Sequence, residues 1–450
     1  MAYVCRECGY RSLKWFGRCP SCGSWGTLEE VTEAEPRSAR KRAEPMSWLG
    51  EEPRPLPQVP SSPLKRLSTG FPEVDRLLGG GLIPGAVILF GGEPGVGKST
   101  LLLQIAAALA RHHGSVLYVS GEESAPQVKL RAERLGIEEG RLYLFAEQSL
   151  PRIVAAVEEI SPLALVVDSL QTVLARANGG EVGGIQQVRE AAAEIARLSK
   201  LRGTASFLVS HITKGGGFAG PKTVEHIVDV AIYLEGVREA DLRILRSVKN
   251  RFGSTNEVAV FKMSDCGMEE VANPSLFFLS RDRGAKPGSA IVPVLEGTRT
   301  MLVEVQALVS PTKYGPPQRR TPGLDYNRVL VLLAVLERYL GVHIGMSDVY
   351  LTVAGGFEVR EPALDLGIAA AVLSSLYNQP ISPDTVVLGE IGLSGEIRPV
   401  RKAQERLKEV EKLGFRRAIL PDQDIKGKVC LELVRAKTVS EACEALNLGG

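Results

Sequence analysis

The densest chemical signal in this sequence is the run Gly92-Glu93-Pro94-Gly95-Val96-Gly97-Lys98-Ser99-Thr100. Glycines at this spacing let successive backbone N–H groups wrap a β-phosphate. The lysine reaches the β- and γ-phosphates, and the serine hydroxyl coordinates Mg2+. ATP or ADP with Mg2+ is the expected ligand of residues 92–100. Leu163-Ala-Leu-Val-Val-Asp168 is apolar until it ends in a carboxylate, so Asp168 is expected to share the Mg2+ with Ser99, through water. A base must also orient the attacking water. The run Val116–Val119 ends in Ser120-Gly121-Glu122-Glu123-Ser124. Such a strand end, next to the phosphate-binding strand of an open parallel sheet, faces the γ-phosphate. Glu122 is the preferred base and Glu123 the second choice. Val209-Ser210-His211 ends another strand on the same edge, and His211 has two roles open to it: a γ-phosphate sensor relaying to the following loop, or a hydrogen-bonded structural histidine.

A second chemistry lies at the N-terminus. Cys5-Arg-Glu-Cys8 and Cys19-Pro-Ser-Cys22 have the spacing of a four-thiolate zinc site, each pair placing two sulfurs on one side of a tetrahedron. Gly9 and Gly23 follow the pairs, where such knuckles use a positive φ. Four protein ligands leave no open position, so the Zn2+ is expected to be structural and to supply the folding energy that about 30 residues cannot find in a core. Trp15, Phe16 and Trp25 could pack on the metal site or stack on bases, and packing is the expected role. Cys266, Cys430 and Cys443 are scattered, which points to a reducing compartment rather than a disulfide framework.

These groups need a scaffold, and composition divides the chain into four: a zinc module (1–31), a proline-rich linker (32–64), an α/β core (65–272) and a second α/β domain (273–450). Pro36, Pro45, Pro53, Pro55, Pro57, Pro60 and Pro63 mark the linker. In the core, apolar runs at 86–90, 116–119, 163–167 and 205–209 alternate with helical patterns such as 185–201. That alternation argues for a mostly parallel sheet with helices on both faces. Further on come strands at 289–294 and 301–308, a helix at 325–341, a strand at 348–354, a helix at 363–377, a strand pair at 386–400 and a basic helix at 402–413.

The 450 residues carry 54 basic and 52 acidic groups, with 44% hydrophobic and 24% charged residues. This excludes a disordered chain and one basic throughout. No apolar run reaches a membrane-spanning length, and the N-terminus lacks a secretory pattern, so a cytoplasmic location is expected. The charge is unevenly placed. Residues 398–417 hold eight basic residues against three acidic ones, a local +5. Lys313, Arg319, Arg320 and Arg328 flank a Gly/Pro loop with Tyr314. Both segments could meet duplex phosphates, or be a solvated basic surface. Lys249 and Arg251 alternate on the strand-like stretch from Leu245 and so point the same way. They suit a neighbouring subunit's γ-phosphate across a ring interface, a DNA backbone, or solvent.

The phosphate-binding run, S-G-E-E-S, V-V-D-S-L-Q-T, V-S-H and Lys249-Asn-Arg-Phe-Gly253 occur in the order of the RecA-like ATPase core. Behind a four-cysteine module, K-N-R-F-G resembles the RadA (Sms) family of bacterial DNA repair proteins, along the whole chain. The resemblance implies an ATP-driven hexameric ring, similar to hexameric helicases, that unwinds and extends branched DNA with a RecA-type recombinase in the stress response at the nucleoid. It implies a trans role for Lys249 and Arg251. It also implies single-stranded DNA contacts from the glycine-rich loops 176–184 and 213–222, with Lys214 and Lys222 on phosphates and Phe218 stacked on a base. The C-terminal stretch around Glu361-Pro362-Ala363 and the 389–413 segment resemble the Lon protease domain. Ala363 stands where that family has its serine and Arg406 where it has its lysine. Without a hydroxyl and a neutral amine the dyad cannot work, and a platform for assembly and DNA is expected instead of a peptidase.

Overall fold

The structure, a computed structural model, describes residues 2–5, 11–12, 14–20, 23–31, 55, 57, 65–175, 184–211, 222–236, 241–279, 285–313, 315–356 and 358–449. Residues 1–60 form one unit and 61–450 another. In the first, the strand Ala2–Cys5 pairs antiparallel with Arg11–Ser12 and with Leu28–Val31.

In the second, a nine-stranded sheet runs, from one edge, Gly267–Glu270, Val258–Ser264, Leu242–Asn250, Val230–Gly236, Val87–Gly92, Ala205–His211, Ala164–Asp168, Val116–Ser120 and Leu142–Ala146. The strands from Val230–Gly236 onward in this order are parallel, and the other three add on antiparallel. Val87–Gly92, Val116–Ser120 and Ala164–Asp168 are buried along their full length. Continuous apolar runs such as VILF suit this position, because both faces are covered. Ile88 and Phe90 pack with Leu101, Leu102 and Ile105 of the helix Lys98–His112. The helix Ile185–Arg202 buries Val188, Ala192 and Ile195.

A mixed seven-stranded sheet follows, in the order Arg319–Arg320, Ser347–Val353, Arg299–Pro311, Ser289–Glu296, Thr385–Val387, Arg417–Pro421 and Glu432–Ala436. The helices Tyr326–Leu340 and Asp365–Tyr377 pack with Val303, Val305, Leu351 and Val353 of this sheet. The helix Ala403–Lys412 sets Leu407 and Val410 against Leu302, Val386 and Leu388. Leu242, Ile244, Val258 and Val260 of the antiparallel extension share one core with Val292, Val303 and Val305. The two sheets are therefore joined by buried apolar surface, bordered by ion pairs from Arg246 to Glu296 and from Arg299 to Glu73.

Candidate active site

The strand Val87–Gly92 delivers the chain into the phosphate-binding run, and the helix starts at Lys98. Gly97 has φ 109°, a backbone shape that calls for glycine, while a Cβ there would meet the flexible ends of Met268 and Met263. Lys98 is 4% exposed. Its Nζ donates to the carbonyls of Gly92 (3.0 Å) and Glu93 (2.9 Å) and to Nδ1 of His211 (3.0 Å). Burial pulls its pKa below the ordinary lysine value, against the opposing pull of Asp168 and Glu122. Buried lysine, glycine cradle and helix N-terminus together fit a nucleotide polyphosphate.

Asp168 ends its strand buried, with Oδ2 accepting from the Tyr118 hydroxyl at 2.7 Å. Ser99 and Asp168 supply the hydroxyl and carboxylate oxygens that Mg2+ prefers.

The strand Val116–Ser120 does not neighbour the phosphate-binding strand: Ala205–His211 and Ala164–Asp168 stand between them. The segment after it nevertheless returns to the site. Glu122 accepts from Nε2 of His211 at 3.2 Å and from the Ser169 hydroxyl. His211 thus bridges Lys98 and Glu122, one ring nitrogen to each. Hydrogen bonds from His211 and Ser169 hold Glu122 at a pKa of about 2, against the upward push of burial. Glu123 turns away, pairing with Arg131 at 2.5 Å. Gln171 brackets the His211 backbone, donating to its carbonyl at 3.2 Å and accepting from its N–H at 3.3 Å. The S-L-Q-T segment after Asp168 therefore fixes both Glu122 and His211, a task that cannot be read from residue types alone. Tyr118 carried one signal, a phenol inside an otherwise apolar strand.

Lys249 and Arg251 lie at the opposite end of the strands from the phosphate-binding run, beside the start of Val87–Gly92. A bulge between Ser247 and Lys249 alters the simple alternation, and the strand ends at Asn250. Lys249 Nζ donates to the Glu225 carbonyl at 2.5 Å, and Arg251 pairs with Asp229 at 3.2 Å. Asp229 Oδ2 accepts from the Val87 N–H at 3.0 Å. Val87 begins the strand whose last residue, Gly92, holds Lys98. At about 3.3 Å per residue, Arg251 and Lys98 are anchored about 17 Å apart. Asn250 and Gly253 dock the same loop on the glycine turn 79–81, through Asn250 Nδ2 to the Leu77 carbonyl at 3.1 Å.

Of the expected zinc ligands, Cys5 and Cys19 are both buried, against one another, and Cys8 and Cys22 lie outside the described residues. Gly23 has φ 76° and donates to the Cys19 carbonyl at 2.9 Å, the knuckle expected there. Two buried thiols brought together from either end of the module fit a shared metal. Trp15 and Trp25 are 58% and 75% exposed, so they do not pack as expected; Arg18 stacks on Trp25 instead.

Among the expected DNA contacts, Lys214, Phe218 and the side chain of Lys222 lie outside the described residues, as do Tyr314 and residues 176–183. Lys313 and Arg320 are exposed. Arg319 is tied to the carbonyls of Gln318 (2.9 Å) and Ile344 (3.1 Å). Two more basic groups turn inward, against the expectation of a phosphate-facing surface. Arg328 forks onto buried Asp365 (Nε to Oδ1, 3.0 Å). Arg406, 0% exposed, pairs with Glu361. Arg398 and Arg417 pair with Glu396 (2.7 Å) and Glu432 (3.3 Å). Helix periodicity explains Arg406: it follows Ala403 and precedes Leu407 and Val410 on the buried face. Ala363 is buried and Arg406 is locked, so the position that resembles a dyad holds a structural ion pair.

A glycine-cradled lysine at a strand–helix turn, a strand-end aspartate and a mostly parallel sheet define a RecA-like P-loop ATPase. Residues 52–217 match the AAA domain family, residues 3–30 the rubredoxin metal binding domain, and residues 341–424 the subunit ChlI of Mg-chelatase. The chain is 46% identical over 446 residues to DNA repair protein RadA of Halalkalibacterium halodurans, covering 98% of this chain and 97% of that one. It is 44% identical to DNA repair protein RadA of Bacillus subtilis over 451 residues, covering 100% and 98%. It belongs to the RadA family of DNA repair proteins. Among solved structures, a KaiC-like protein of Pyrococcus horikoshii OT3 aligns over 46% of this chain and 100% of its own, at 21% identity and a TM-score of 0.40. No helix among the described residues is long and apolar enough to cross a membrane.

Proposed function

We propose that this chain hydrolyses ATP to drive movement along branched DNA in recombinational repair, as a ring of identical subunits, six by resemblance, beside a RecA-type recombinase at the nucleoid. The observation that carries this reading is the separation of Lys249 and Arg251 from their own Lys98. The pair lies at the opposite end of the strand Val87–Gly92. A cation there serves hydrolysis only on a neighbour's nucleotide, and head-to-tail contacts of that kind close into rings.

Lys98, the backbone of 92–100 and Ser99 would hold the nucleotide, with Ser99 and Asp168 on Mg2+, which offsets phosphate charge. Glu122 orients water as an ionised carboxylate and accepts its proton. Phosphate capture draws Lys98 from His211, and the freed imidazole carries nucleotide state into the segment that follows it. Lys214, Phe218, Lys222, Lys313 and Arg320 are the contacts proposed for DNA. Arg319 is a weaker member of that set because its guanidinium is already tied to carbonyls. Zn2+ on Cys5, Cys8, Cys19 and Cys22 stabilises the N-terminal module. No peptidase activity is expected. The test is ATP-dependent strand displacement on forked DNA, with Lys98→Ala as control. Hydrolysis without displacement or branch movement would replace the motor by a nucleotide-switched scaffold that binds DNA and recombinase.

A further inference from the structure

Asp229 is 3% exposed and sits just before the strand Val230–Gly236, at the sheet edge away from the phosphate-binding run. Its carboxylate is fully engaged. Oδ1 takes Arg251 at 3.2 Å, while Oδ2 takes the Val87 N–H at 3.0 Å and also Lys200. Lys200 comes from the far end of the helix Ile185–Arg202, a separate element that the sequence did not connect with K-N-R-F-G. Lys249 lies close enough for the Arg251 charge to lower its pKa, second to burial and against the pull of Asp229 and Glu225. Two cations from separate elements, Arg251 and Lys200, thus pair with one buried carboxylate, with Lys249 held nearby on the Glu225 carbonyl. A surface cation pair needs no such anchor. Burying an ionised carboxylate is costly unless partners compensate, and here the compensation holds Arg251 at the sheet edge, half-exposed.

We infer that Asp229 is a positioning residue that aims Arg251, which stands beside Lys249, at a neighbouring subunit's nucleotide, and that Lys200 is a third cation of the same phosphate-facing cluster. This rests on the trans reading of Lys249 and Arg251 proposed above. Asp229 touches no nucleotide. It fixes the guanidinium through Oδ1 and is itself fixed to the sheet through Val87. Lys200, with its side chain 36% exposed, neutralises the second oxygen and adds charge toward an incoming triphosphate.

The experiment is steady-state ATP hydrolysis by the full-length protein with single-stranded DNA present, for Asp229→Asn, Lys200→Ala, Lys200→Arg and Arg251→Ala. Asp229→Asn keeps an oxygen for Val87 and loses the charge. The expected result is a kcat about tenfold lower for Asp229→Asn and about fivefold lower for Lys200→Ala, with KM for ATP within about twofold and Lys200→Arg near wild type. A merely structural role would lower the thermal midpoint while leaving kcat unchanged at temperatures where the variant is fully folded. Wild-type kcat in Asp229→Asn with a large loss in Arg251→Ala overturns the positioning role and leaves the trans reading intact. Wild-type kcat in Arg251→Ala removes the trans reading itself. Should Asp229→Asn fail to fold, Lys200→Ala decides, since unchanged kcat there overturns the cluster.

Discussion

Arg406→Met tests whether the Lon-like site has become part of the framework. Arg406 is fully buried, donating to the carbonyls of Arg401 (2.9 Å) and Pro293 (2.7 Å) and to both Glu361 oxygens. Glu361 also accepts from the Leu295 N–H at 2.5 Å. Methionine fills much of the arginine volume but leaves a carboxylate and two carbonyls without their donor. Breaking a buried pair from one side costs about 3–5 kcal/mol. Arg406→Met with Glu361→Met removes the uncompensated charge; the two carbonyls lose their donor in both variants and cancel, and the double variant adds only the unpaired Leu295 N–H, about 1–3 kcal/mol. The double variant should therefore be more stable than Arg406→Met by about 2 kcal/mol. Residues 273–450 contain no tryptophan, so far-UV circular dichroism is the suitable probe. A single-variant melt about 10 °C below wild type is expected, with the double variant between them. Equal midpoints for wild type and Arg406→Met would refute the structural assignment, and a double variant less stable than the single one would refute the energetics.

Three further outcomes follow from the site. Glu122→Gln should lower kcat for ATP by about 100-fold with nucleotide affinity nearly unchanged, while Glu123→Gln, which loses only an Arg131 pair, stays within about twofold; the reverse order would move the base to Glu123. Glu122 is depressed to about 2 from 4.5, chiefly by His211. Its stabilising contribution is thus complete above pH 4.5 and lost as pH falls toward 2. His211→Ala should raise the acid-unfolding midpoint, and an unmoved midpoint contradicts the coupling. Elemental analysis should find about one zinc per chain, lost in Cys19→Ser; protein purified without chelator and free of zinc would end that assignment.

Contiguous features were legible in the sequence. The phosphate-binding run, the apolar strands and the helix from Lys98 are local patterns, and the structure places them as read. What could not be read depends on pairing across distance. Strand order follows from crossovers, so Val116–Ser120 looked adjacent to the phosphate-binding strand when two strands separate them. Charge counts treated Arg328 and Arg406 as surface because a count does not tell which face of a helix is buried; Asp365 and Glu361, their partners, lie 37 and 45 residues away. The anchoring of Arg251 by Asp229, and of Asp229 by Lys200, joins three elements and leaves no motif.

The most direct test of the account mixes two inactive subunits. Lys98→Ala lacks a working phosphate site but keeps Arg251, and Arg251→Ala has the reverse defect. If Arg251 acts on the neighbour's nucleotide, an equimolar mixture reassembled from dissociated subunits should recover about a quarter of the wild-type ATP hydrolysis, the share of head-to-tail interfaces holding both intact groups. A mixture no more active than the mean of its two components would contradict the ring-interface account.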